Sequence, residues 1–465
     1  MALKFKPLNI NTEPWKPTET IEITENGTYD VTDCVSAEVS VGADIFNTLK
    51  QILEGGQNNN DRLLVEIPYG VTKIRDAAFH TNNFWNYFSD FVIPTSITII
   101  GDRVFDYNTS VQGVPFSLFY SGNLEQWMNI EKGTTNPNDV NDPTRFNGIT
   151  LSHNQSYKLY LNNDRSEYIR DIIIPNTITT LKKGALCNIS VSSIFIPNSV
   201  KEIGIGAFLG VRTSELTFED GCEMETLNGF QYLKLLKDIS LPKCKVIGRA
   251  AFYWAESLTN INFQEGLEVL SQESFYSCRN VKAFHLPQSL KQIGASAFYW
   301  CTPSYINIPK NVENIGSNAF YLYSSANCIV DVESEIPCTV HSSVQFYRVI
   351  KIYVPKGASE VYKSATNWSK FASKIYEKIT LNVMFPPQLI GNETISYSID
   401  GGKTYQQFTS DALTLNEVAV INIKSTDSTQ TIAVGTTSGG SDLGTISNNE
   451  ITLSFNTDTT IYLTL

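Results

Sequence analysis

The sequence predicts a mainly β protein: a solenoid of short coils followed by a small β-sandwich. Three observations lead there. A fifteen-residue phrase recurs almost unchanged, as "IFIPNSVKEIGIGAF" (194–208), "FHLPQSLKQIGASAF" (284–298) and "INIPKNVENIGSNAF" (306–320). The phrase stops near residue 378, and short alternating strands such as "AVINIKST" and "TIYLTL" replace it. The chain also carries 22 Tyr and 25 Phe, a composition that favours strands and turns over long helices. At 465 residues it exceeds one ordinary core, so several domains or one long array is expected.

The repeats align on Phe208, Phe230, Phe252, Phe275, Phe298 and Phe320, at spacings of 22, 22, 23, 23 and 22. Leu186, Phe79 and Phe105 close three further copies. A period of 22 or 23 is too short for two packed helices and suits one solenoid coil. The "IFI" run reads as a strand with alternate residues inward. Proline cannot donate to a ladder, so it ends that strand. The polar pair after it turns the chain, and "Val-x-x-Ile" is a second strand-like piece. Glycine then permits a bend. The Ala-Phe pair adds one small and one large side chain to the core of each coil.

The eight cysteines keep the same register. Cys222 and Cys244 lie eight before their Phe; Cys278 and Cys301 lie three after. A column of buried free thiols is expected rather than disulfides. No CxxC occurs and there are only four His, so no metal site and no cofactor are expected.

This pattern resembles the BspA-like leucine-rich repeats over residues 61–378. "LFYSGNLEQWMNI" (118–130) looks like the family's variant coil and "KLYLNND" (158–164) like the start of the hairpin after it. "IYVPKGASEVYKSATNWSKFASKIYE" (352–377) looks like its terminal coil and capping helix. An insertion at 106–170 is then a modified coil, and "VESEIP" (332–337) makes the last turns irregular. The resemblance implies a curved leucine-rich repeat solenoid, an adhesion or recognition role, and no enzyme.

Residues 1–42 read as an N-terminal arm. "ITENGTYDV" and the alternating strand after it suggest a β-hairpin at Asn26-Gly27 and resemble a short module of bacteriophage tail and fibre proteins. Residues 43–60 read as a short helix and a Gly/Asn linker. The arm either attaches the chain to a virion or caps the solenoid; both readings stand at this point. Residues 379–465 are expected to form an Ig-like β-sandwich with a hairpin turn at Asp400-Gly401-Gly402.

The formal charge of -12, from 35 basic and 47 acidic residues, excludes the basic face that nucleic acid requires. No run of eighteen apolar residues occurs, so membrane insertion is not expected. The first twenty residues show no secretory h-region, which fits release of a virion protein by lysis. No P-loop, GxSxG or HExxH is present, and no catalytic residue is nominated.

An aromatic residue follows the core Phe: Tyr253, Tyr276, Tyr299 and Tyr321, with Trp254, Trp300 and Tyr323 beside them. Stacked coils would line these into a ridge for sugar rings, or into a ladder that shields the core edge. Tyr120 and Trp127, beside the Asn/Asp-rich stretch 131–149, form a second candidate. The expected function is a bacteriophage tail or head fibre or other virion adhesin. It would join other virion proteins through its arm and touch a host glycan or protein through its solenoid. A bacterial surface adhesin, a purely architectural virion protein and, last, a carbohydrate-active enzyme are the alternatives. Homo-oligomerisation stays open, for no coiled-coil heptads are present.

Overall fold

The computed structural model describes strands at Leu3–Asn9, Ile21–Ile23 and Ala37–Val39, then residues 61–133 apart from 68, 75–87, 102–103 and 106–115. It continues through 156–409 and 412–464, apart from 430, 439–440 and 448. The expected helix at 43–54, the Asn26-Gly27 turn and Phe79 fall outside the described residues. The chain divides into two compact units, residues 1–258 with 273–278, and residues 259–272 with 279–465.

Each repeat in the first unit folds as one coil. Strand Ser193–Ile196 pairs in parallel with Asp171–Ile173 before it and Glu215–Phe218 after it. Pro197 ends the strand, and its carbonyl accepts from Val200 N–H at 3.1 Å, which closes the turn. The second strand, Glu202–Ile203, pairs in parallel with Thr180–Leu181. Ile172, Ile194 and Leu216 therefore stack in register, as do Leu181 and Ile203, and all five are buried.

The Ala-Phe arc closes the coil by alternating its backbone hand. Gly184 and Asn188 flank Leu186 at positive φ, as Gly206 and Gly210 flank Phe208. Ala250 and Trp254 flank Phe252, and Glu273 and Ser277 flank Phe275, in the same way. The alternation aims every second N–H at the next coil. Leu186 N–H donates to Ala207 O, Phe208 N–H to Gly229 O, and Phe230 N–H to Ala251 O, at 2.8–2.9 Å. The Phe rings stack above this ladder: 208 on 230 at 4.9 Å, 230 on 252 and 252 on 275 at 5.2 Å, within 10° of parallel.

The glycine before the arc has a different cause from the one expected. Gly204 is not at positive φ, so no bend requires it. A Cβ there would lie 2.7 Å from the backbone nitrogen of Lys183 in the preceding coil. Close approach between coils, not backbone freedom, excludes a side chain.

The N-terminal strands join this array at its start. Asp61–Glu66, Phe88–Ile93, Phe116–Tyr120 and Tyr157–Tyr160 pair in parallel, and Leu3–Asn9 adds antiparallel beside Asp61–Glu66. Ile21–Ile23 pairs antiparallel with Leu3–Asn9, whereas Ala37–Val39 pairs in parallel with Val71–Ile74 in another sheet. The stretch that would follow the expected Asn26-Gly27 turn lies outside the described residues. Ala37–Val39 finds its partner on the first coil, and Ile21–Ile23 on the arm strand Leu3–Asn9.

In the second unit, strands Ala283–Phe284, Tyr305–Ile308, Cys328–Val332, Val349–Val354 and Ile375–Glu377 form one parallel sheet. Phe298, Phe320, Phe346 and Trp368 stack at 5.1–5.7 Å. The register slips at Cys328/Ile329, where the repeat spacing lengthens. Helix Ser359–Ser364 and the 3-10 turn Ser369–Lys374 close the stack, with Trp368 fully buried. The Lys374 ammonium and the Trp368 indole N–H donate to the carbonyls of Val349 and Cys338, at 2.7 and 2.8 Å. The described cysteines are free thiols, all buried except the half-buried Cys338.

Residues 379–464 form two sheets around one apolar core that includes Leu381, Phe408, Ile423 and Ile461. The first strand, Ile379–Met384, pairs antiparallel with Ala412–Val418 and in parallel with the last, Thr459–Thr464. The expected hairpin is present: Tyr397 faces Gln406 across a turn in which Asp400 accepts from the Lys403 and Thr404 N–H groups at 3.0 Å. This part packs on the solenoid sheet within the same unit. Ala419 and Val420 join Tyr305, Ile329 and Tyr353 in one apolar cluster, and the Tyr353 hydroxyl donates to Phe455 O at 2.6 Å.

Candidate recognition surface

The second residue after Phe252, Phe275 and Phe298 is left-handed, and the tyrosine directly after each of these Phe is only half-buried. In the first unit Tyr253 stacks on Tyr276 at 4.7 Å and 22°. Trp254 lies 6.1 Å from Tyr232 and 6.4 Å from Tyr253. In the second unit Tyr299, Tyr321 and Tyr347 stack at 5.0 and 4.8 Å. Trp300 and Tyr323 meet edge to face at 6.3 Å beside them. Within each unit the structure brings the nominated residues together: Tyr253, Trp254 and Tyr276 in one, Tyr299, Trp300, Tyr321 and Tyr323 in the other.

The geometry limits what the stacks can touch. Neighbouring tyrosines cover each other's faces, so a sugar ring finds no free aromatic face inside a stack. Ring edges rather than faces are what such a stack can offer a partner. The rings are half-buried except for Tyr323 and Tyr347, 36% and 43% exposed. Burial, helped by Tyr253 nearby, pushes the Tyr232 phenol up to about 12, so it remains a neutral donor.

Three contributors escaped the sequence reading. Tyr232 sits two residues after its Phe rather than one. Tyr347 follows Phe346 directly, but 26 residues after Tyr321, so it broke the period. Arg279 places its guanidinium 4.6 Å from the Tyr323 ring and 5.9 Å from Trp300; no periodic signal marks it.

Trp254 and Trp300 hold φ of 55° and 62°. A left-handed backbone costs a bulky residue about 1–2 kcal/mol, and Gly210 fills the same place after Phe208. The backbone alone would favour glycine, so the indoles stay for their contacts.

The second candidate is corrected. Tyr120 and Trp127 are buried, with 2% and 0% exposure, and offer no binding face. Helix Leu124–Asn129 is fixed by a capping box between Asn123 and Gln126 and turns Trp127 inward. There Trp127 meets Tyr120 at 5.3 Å and Tyr157 at 5.9 Å. The Lys132 ammonium lies 4.6 Å over its ring and donates to the Trp127 and Ile130 carbonyls, at 2.6 and 3.3 Å. The stretch 134–149 lies outside the described residues.

The chain matches the family described as "BspA type Leucine rich repeat region", in six copies over residues 44–126, 164–245 and 245–370. It is similar to solved structures at low identity. The pneumococcal vaccine antigen PcpA is 15% identical, over 76% of this chain and 96% of that one, with a TM-score of 0.37. A leucine-rich repeat protein from Bacteroides ovatus is 18% identical, over 72% and 80%, at 0.35. A leucine rich cell surface protein from Faecalibacterium prausnitzii is 14% identical, over 64% and 87%, at 0.29. No curated protein matches the chain.

Proposed function

Because the chain belongs to the BspA-type leucine-rich repeat family, we propose that it is a recognition protein displayed at a cell surface, binding a protein partner through its solenoid aromatics. The observation that carries this reading is the corner formed by Arg279, Trp300 and Tyr323. Arg, Trp and Tyr are the residue types that dominate binding energy at protein interfaces. The stacked tyrosines beside it supply rigid area with covered ring faces, which suits a protein surface better than a sugar face.

The narrower reading, a virion fibre, rests on residues 21–41. The family match begins at residue 44 and does not reach them. Immunogold labelling with antibody to the recombinant chain separates the two. Gold on bacterial envelopes supports the surface reading; gold on phage particles and not on cells overturns it. For the site, a Tyr323→Ser, Arg279→Ser double variant is expected to lose at least about tenfold in partner or cell binding, ~1.4 kcal/mol. Unchanged binding with an unchanged melting curve would remove the corner from the interface.

A further inference from the structure

One ion pair lies in the second unit, under the seat of the C-terminal sheets. The Lys378 ammonium is 2.7 Å from Asp331 Oδ1, and both side chains are 10% exposed. Asp331 sits on strand Cys328–Val332, and Lys378 directly follows strand Ile375–Glu377. Val349–Val354 runs between these strands and pairs with both. The lysine therefore reaches across a whole strand to meet the carboxylate. The function proposed above does not use this pair.

The pair is poorly compensated as an ion pair. Buried opposite charges are stable only where hydrogen bonds meet their remaining protons and lone pairs. Asp331 Oδ1 is sealed from solvent and accepts no hydrogen bond, so Nζ stands close to it but out of hydrogen-bond alignment. Asp331 Oδ2 accepts from the Tyr305 hydroxyl at 2.8 Å. Burial, and then the Asp331 carboxylate, hold that phenol protonated. The Lys374 ammonium, one turn of chain earlier, donates instead to the Phe346 and Val349 carbonyls.

The surroundings keep water away. Tyr353, paired with Asp331 across the sheet, and Tyr305 belong to the apolar cluster that Ala419 and Val420 cover. The turn at Gly401 closes down on the Tyr305 ring, where a Cβ would collide with it. An amine held against a carboxyl in a dry site is a pair of reactants. Cγ lies one C–O bond, ~1.2 Å, from Oδ1, so Nζ is near the ~3–3.5 Å of a near-attack arrangement. Reactants fixed in this way reach effective concentrations of about 10⁵–10⁸ M, and a site closed to water protects the product from hydrolysis.

We propose that Asp331 and Lys378 join through an intramolecular amide between Cγ and Nζ. The ion pair already holds every atom of the product. One ammonium proton passes to Oδ1, and the freed Nζ electron pair attacks Cγ. Tyr305 donates to Oδ2 and stabilises the charge that develops there. A second proton moves from Nζ to Oδ1, the Cγ–Oδ1 bond breaks, and that oxygen leaves as water. The third proton stays on the amide nitrogen. Nothing is oxidised or reduced, two buried charges disappear, and the strands under the seat become covalently tied.

The test is the denatured mass of the purified full chain. Most molecules are expected to be lighter than the sequence mass by one water. A tryptic digest should hold residues 311–348 linked to a peptide left uncut after Lys378, with tandem spectra placing the bond at Asp331. Lys378→Arg keeps the positive charge, cannot form this amide, and should restore the full mass. Tyr305→Phe should leave far less of the chain linked at equal times after synthesis; an equal linked fraction would remove the tyrosine from the step. The full sequence mass in the native chain, with residues 311–348 and the peptide ending at Lys378 recovered apart, would overturn the proposal and needs no variant to fold. A water loss that persists in Lys378→Arg, as ring closure at Asp400-Gly401 would give, would overturn it too.

Discussion

Lys132 is a fully buried amine whose environment opposes its charge. Burial lowers it from 10.5 to about 7; the nearby Cys187 partly opposes the shift and Lys182 adds to it. Between those two values the unfolded chain binds a proton that the folded chain has released. Stability should therefore rise with pH from about 7 toward 10.5 and receive no contribution from this group below that window. Lys132→Met should flatten this slope in urea titrations across pH; coincident slopes would mean the amine stays charged in the fold. Gly294 poses the opposite problem, one of space. A Cβ there would sit 2.5 Å from the Ser271 carbonyl carbon and 2.7 Å from Gln272 N. Gly294→Ala should cost about 1–3 kcal/mol by overpacking, a loss that relief of backbone flexibility alone would not predict. Phe252, sandwiched between Phe230 and Phe275, should cost about 3–5 kcal/mol when cut to Ala. Both changes are read from denaturant midpoints.

At the scale of elements, the closing helix and its tryptophan protect the last coil. Trp368 stacks on Phe346 at 5.6 Å and its indole donates to Cys338 O. Trp368→Ala should cost about 3–5 kcal/mol and raise amide exchange first in Val349–Val354, the strand beneath the cap. Exchange that rises evenly along the chain would show that the cap does not act locally. Most of the coil was legible because its signals are local and repeated: Pro197 ending a strand, Val200 closing the turn, Phe208 entering the core. Trp127 was misread because sequence cannot tell which face of a short helix turns inward, and Tyr120 because its strand, Phe116–Tyr120, is buried on both faces.

At the scale of the whole molecule, the 379–464 sheets are seated on the solenoid within one unit rather than tethered beside it. Tyr353 donates to Phe455 O, and the Lys351 ammonium lies 3.4 Å from Ser454 O. Tyr353→Phe should cost about 1 kcal/mol and expose amides of Ile421–Ser425 or Glu450–Leu453 without loosening the coils. His285 adds a pH response at this seat. Its ring lies 5.7 Å from Tyr305, and Asp400, which favours its charge, opposes Lys403, which does not. Its folded value is depressed from 6.5 to about 4, so its contribution is present above 6.5 and is lost as pH falls through that window. The inter-coil ladder has a mechanical meaning as well. In the first unit Leu186, Phe208 and Phe230 each pass the same bond to the next coil, so no single junction is the strong one. Under tension such a stack yields in small, similar steps, and each 22-residue coil released adds roughly 75 Å of slack. A tether built this way lengthens under load before it breaks, and reseals when the load is gone.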